Sequence, residues 1–65
     1  MIDVMVGQRV EAHPATNAWI MGARFGTVKG FTKKFLPGTE TYGIRVKLDR
    51  VRRVQTFHPD NLWIV

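Results

Sequence analysis

Apolar and polar residues alternate with a period of two along much of the chain, most cleanly from Tyr42 to Leu48. There Tyr42, Ile44, Val46 and Leu48 interleave with Gly43, Arg45 and Lys47. A period of two puts successive side chains on opposite faces of a strand, so this segment reads as one apolar and one basic face. Gln8 to His13 repeats the pattern, with Val10 and Ala12 against Arg9 and Glu11, and Pro14 ends it by lacking a backbone donor. Ala15 to Met21 reads as a long connection closed by a turn at Gly22, with no segment periodic enough to predict a helix.

Arg24 to Phe31 is the second predicted strand, with Val28 as its core residue and Gly26 and Gly30 as points where a small sheet can bend. Thr32 to Thr41 reads as a projecting loop or hairpin extension. Asp49 to Arg52 is a turn and Arg53 to Phe57 the fourth strand. Facing is ambiguous in that strand, because Val54 and Thr56 oppose Gln55 and Phe57; Phe57 is assigned to the core, and the register around it is left open, with a bulge as one solution. His58 to Asn61 predicts a tight or 3₁₀ turn before a last strand, Leu62 to Val65. Five short strands in 65 residues form a single all-β domain over 1–65 that must curl on itself to hide its edges.

Composition sharpens the picture through charge. Nine of the ten Lys and Arg residues lie between Arg24 and Arg53, against only Glu40 and Asp49, so that stretch carries a formal +7 and the remainder −2. Arg45 and Lys47 point outward from the third strand, and Arg50, Arg52 and Arg53 crowd the following turn, so these five are expected to share one cationic patch. Lys33, Lys34 and Phe35 add a basic, aromatic loop suited to tracking a phosphate backbone while stacking bases. Strand aromatics pack inward, which assigns Phe25 and Phe31 to the core and leaves Phe35 as the exposed ring. Nucleic acid is the leading partner implied, an acidic protein surface the second, and a merely solubilising face the third.

Other chemistry finds little support. Without cysteine there are no disulfides, zinc–thiolate sites or thiol nucleophiles. His13 and His58 both precede proline and read as turn histidines rather than ligands, so no metal is proposed. Asp3, Glu11, Glu40, Asp49 and Asp60 form no pair suited to acid–base work; Asp49 is expected to cap its turn or pair with Arg50 or Arg52. Neither a catalytic residue nor a cofactor is implied. Trp19 and Trp63 are expected to plug the fold or to form an association surface, and with so small a core an exposed tryptophan would favour a homo-oligomer. The opening Met-Ile-Asp-Val-Met-Val lacks the basic start of a secretion signal, and no apolar run approaches the roughly 20 residues of a membrane span, which predicts a soluble, cytoplasmic chain.

Several strings resemble an SH3-like small β-barrel. They are Gly7-Gln8-Arg9-Val10, Gly26-Thr27-Val28 with Gly30 after it, the alternating third strand, and His58-Pro59-Asp60-Asn61-Leu62 before the last strand. The resemblance covers nearly the whole chain and implies a five-stranded barrel with a long first loop and a 3₁₀ turn before its last strand. Val10-Glu11-Ala12-His13-Pro14-Ala15-Thr16 with Trp19 is also similar to small uncharacterised proteins of tailed phages and prophages, which would place the chain in a host cytoplasm. SH3-like barrels bind DNA, RNA, peptides and ribosomal elements, so the fold does not choose a partner. A weaker resemblance joins Val54-Gln55-Thr56-Phe57 to the Val-Gln-Ile-Tyr pore strand of the plasmid-borne type II dihydrofolate reductases. Phe57 and Thr56 depart from that pattern, and Val10-Glu11-Ala12-His13 replaces the family's lysine run, which implies shared fold rather than shared activity. The leading expectation is therefore a non-enzymatic module that binds nucleic acid with low sequence specificity. The alternatives are an assembly module for an acidic protein and, third, a reductase.

Overall fold

A computed structural model describes residues 4–65 of the chain. Five antiparallel strands make one sheet: β1 (Arg9–Ala12), β2 (Phe25–Phe35), β3 (Tyr42–Leu48), β4 (Val54–Phe57) and β5 (Leu62–Ile64), in the order β4-β3-β2-β1-β5. A single helical turn, α1 (Asn17–Ile20), lies in the first connection, and a 3₁₀ turn (Pro59–Asn61) links β4 to β5. Asp3 and the first two residues of the opening segment lie outside the described residues.

The inward rows follow the alternation. Val10 and Ala12 of β1, Val28 of β2, Ile44, Val46 and Leu48 of β3, Phe57 of β4 and Leu62 of β5 are buried together, with Ala18 of α1 closing one side. Burying side chains of this size contributes about 1.5–3 kcal/mol each for the Val, Leu, Ile and Phe members. Gly26 sits in the same inward row, between Val10 and Leu48 in the cross-strand pairing.

Four local features depart from the sequence expectation. Asn17–Ile20 is helical, because Thr16 caps the turn by accepting from the Trp19 N–H at 3.3 Å, but one turn is too short to leave a periodic signature. β2 continues to Phe35, four residues past its expected end, so the following hairpin reaches beyond the core. Tyr42 pairs with Phe35 on that extension and is 51% exposed instead of joining the core row. β4 pairs with β3 in unbroken register from Lys47↔Val54 to Ile44↔Phe57, so no bulge is needed there; the β2–β3 ladder instead has two register shifts, between Val28 and Gly30 and between Phe31 and Phe35.

Two turns share one geometry with different residues. Leu36 to Thr39 closes through the Thr39 N–H on the Leu36 carbonyl at 3.0 Å, with Pro37 second and Gly38 third at φ 77°. That is a type II arrangement, whose third residue needs a positive φ and is best served by glycine. Leu48 to Val51 closes in the same way at 3.2 Å, yet its third residue is Arg50, at φ 68°. A side chain in this left-handed region is strained by about 1 kcal/mol or more.

Candidate nucleic-acid interface

The register places two of the expected cations on the outward face of β3. Arg45 lies between Thr56 of β4 and Gly30 of β2, and Lys47 between Val54 and Thr27. Arg45 is exposed; Lys47 is half-buried and donates from Nζ to the Leu48 carbonyl at 2.9 Å. One row further, Arg9 stands beside Thr27 on β1.

Arg9 is the cation that the sheet neutralises. Its Nη1 donates to Thr27 Oγ1 and to Asp49 Oδ1, both at 3.1 Å, and its Nη2 donates to Asp49 Oδ2 at 2.7 Å. Asp49 thus pairs across the sheet, and not with Arg50 or Arg52, because the Asp49 N–H on the Phe25 carbonyl at 2.8 Å fixes it at the end of the outward row. Among the described residues this is the one contact within 4 Å between permanently charged side chains. Among the described residues, Arg45, Lys47, Arg50, Arg52 and Arg53 have no carboxylate at that distance, nor do Lys33 and Lys34.

The fork of Arg9 hydrogen bonds holds the Asp49 carboxyl below the usual carboxylate range, with the charge of Arg9 adding to the effect. A carboxyl depressed in the folded state stabilises above its unfolded pKa, near 3.9, and loses that contribution as pH falls through the folded value. Wild-type protein is therefore expected to lose melting temperature below about pH 4, and Asp49→Asn to show a shallower loss in the same acid melts. Parallel curves for the two proteins would contradict this role.

The remaining expected contacts divide between the two ends of β3. Lys33, Lys34 and Phe35 occupy the β2 end of the extended hairpin, all exposed, where the Phe35 and Tyr42 rings meet at 4.8 Å. Arg50, Arg52 and Arg53 lie at the other end, about 20 Å away along six strand steps, and all three are exposed. The expected cations thus lie toward both ends of β3 with Arg45 and Lys47 between them, not in one compact cluster. Phe25 and Phe31, expected inside, are 40% and 44% exposed. Phe25 points outward beside Glu11 because Gly26 takes the inward position. Phe31 is paired with Ile44, between two irregularities in the β2–β3 register.

Sequence reasoning did not identify Arg24 and Trp19 as a unit. The Arg24 guanidinium stands 4.0 Å from the centre of a Trp19 ring, a cation–π contact across the first connection. Two adjoining pockets open beside it. The larger, about 390 Å³, has apolar walls from Ala18, Ala23 and Val51 and polar groups from Asn17, Gln55 and Arg50. The smaller, about 260 Å³, is lined by Arg24, Phe25, Asp49 and Arg50, and the two meet at Gly22 and Arg50.

No protein-family model matches the chain, and no curated protein or solved structure is significantly similar to it.

The histidines serve the turns that contain them. His13 Nδ1 accepts from the Ala15 N–H and His58 Nδ1 from the Asp60 N–H, both at 3.0 Å. Phe57, which the reductase pattern would aim at a pore, is buried against Ile44. Trp63 is half exposed and makes a T-shaped contact with the His13 ring, centroids 5.1 Å apart, on the outward row with Glu11. Among the described residues no helix is long and apolar enough to cross a membrane.

Proposed function

We propose that the chain is an SH3-like small barrel that binds nucleic acid through the cationic stripe along β3, without catalysis and with little sequence preference. The connection between β4 and β5 supports closure. These strands lie at opposite edges of the sheet, which a flat arrangement would separate by four strand spacings, roughly 19 Å. Only residues 58 to 61 join them, three of those in a 3₁₀ turn that rises about 2 Å per residue. A chain so short reaches across only when the sheet curls, and the register shift after Val28 is a point at which β2 can bend.

The observation that carries the binding role is the contrast between Arg9, matched by Asp49, and the exposed cations of the stripe, which have no carboxylate within 4 Å among the described residues. Phosphates along one strand of a duplex repeat every 3.4 Å, so a stripe of about 20 Å faces roughly six of them. Flexible Lys and Arg side chains on phosphates position a duplex without reading bases, which accounts for the low specificity. The setting that fits is the cytoplasm, where nucleic acid is abundant.

Fluorescence anisotropy with a labelled 20-nucleotide single strand and the matching duplex in 50 mM salt tests the reading. Micromolar or tighter binding is expected. Absence of binding to both probes at that salt, or capture of an acidic protein alone, overturns it.

A further inference from the structure

The two adjoining pockets hold chemistry that a phosphate stripe does not need. The larger one combines apolar walls with the side-chain amides of Asn17 and Gln55, each of which presents both a donor and an acceptor. Paired donor and acceptor groups of this kind match the exposed edge of an unstacked base. Its volume, about 390 Å³, lies within the range of small-molecule sites. The smaller pocket brings Arg24 and Arg50 to one opening, with the Phe25 ring beside them. Asp49 also lines it, but the Asp49 carboxylate is occupied by the Arg9 fork at 2.7 and 3.1 Å, which offsets its repulsion of an anion.

Arg50 joins the two spaces and is the only described non-glycine residue with positive φ. Glycine fills the matching position of the Leu36–Thr39 turn, so nothing in the turn itself calls for arginine. Strain of this kind is retained where the side chain is needed at that place. Arg24 is held by Trp19 at 4.0 Å, which reduces the freedom its guanidinium would lose on meeting a ligand.

We propose that the joined pockets receive one unstacked nucleotide of a single strand. The base enters the space bounded by Ala18, Val51, Asn17 and Gln55, and its phosphate lies between Arg24 and Arg50. This rests on the nucleic-acid reading and narrows it to strands with an unpaired end or loop. A duplex keeps its bases stacked and engages only the stripe.

The test uses the full chain, with nucleoside 5′-monophosphates as probes and the nucleosides and inorganic phosphate as controls. In amide-resolved NMR titrations the monophosphates are expected to shift Ala18, Gly22 and Val51, and to bind more tightly than either control. Gln55→Leu, an uncharged change at an exposed position, is expected to weaken single-strand binding about 10-fold and leave duplex binding unchanged. Arg50→Gly is expected to raise the melting temperature while abolishing the monophosphate shifts, a combination that a misfolded variant cannot produce. Equal effects of Gln55→Leu on both probes, or monophosphate shifts located away from these pockets, overturn the inference and leave the stripe intact. Loss of all nucleic-acid binding in the wild-type chain overturns the parent reading as well.

Discussion

Gly26→Ala is expected to destabilise the fold by about 3 kcal/mol, which in a domain of this size lowers the melting temperature by roughly 12–24 °C. A Cβ at Gly26 would stand 2.7 Å from the Lys47 carbonyl oxygen, 2.7 Å from Val46 Cγ1 and 2.9 Å from Leu48 Cα. Two of those atoms belong to the β3 backbone, which cannot retreat without breaking the β2–β3 ladder that also positions Arg45 and Lys47. Total stability for a small domain is about 5 kcal/mol, so much of the variant would unfold on mild heating. Gly30→Ala is the matched control. It adds the same methyl group where, chain neighbours aside, no heavy atom of the described residues lies within 4 Å, at a position without positive φ, and should change stability by no more than about 0.5 kcal/mol. Thermal melts followed by circular dichroism separate the two, and equal losses would mean that β2 and β3 do not pack as described.

Binding to a duplex is expected to weaken about 500-fold between 50 and 200 mM salt, close to 3.7 kcal/mol of binding free energy. The size follows from roughly five phosphates neutralised along the stripe, each contributing about −0.9 to the slope of log affinity against log salt. Single strands condense fewer counterions, and the same number of contacts predicts a drop of about 130-fold. A surface that served only solubility would give no saturable binding for salt to weaken. Apolar docking onto exposed rings such as Phe25 and Phe35 would strengthen, not weaken, in a salting-out anion such as sulfate.

What the sequence disclosed follows the reach of each signal. β3 was legible because all its apolar residues from Ile44 onward face a core, and a half-buried strand writes its burial as alternation. The tail of β2 was not, since Thr32, Lys33 and Lys34 lie beyond the core and no burial imposes a pattern on them. Phe25 and Phe31 were misjudged for a related reason: composition shows large rings in a strand, while their exposure depends on which neighbour takes the inward place. Arg45 and Lys47 could be placed from local alternation alone. The Arg9–Asp49 pair could not, because its partners are 40 residues apart and meet only through the register of three strands. The strain at Arg50 was hidden as well, since the type of a turn with aspartate and arginine at its centre is not written in those residues.

In the proposed binding mode, exposed cations along β3 carry the binding while a neutralised cation on the same sheet does not. The most direct test of this mode is the slope of log affinity against log salt for duplex binding, measured on the wild-type chain, Arg45→Ala, and the double variant Arg9→Gln with Asp49→Asn. The double change removes the fork without altering net charge. Arg45→Ala is predicted to reduce the steepness by about 0.9, and the double variant to match wild type. A shared slope for wild type and Arg45→Ala, or a loss confined to the double variant, would contradict the account.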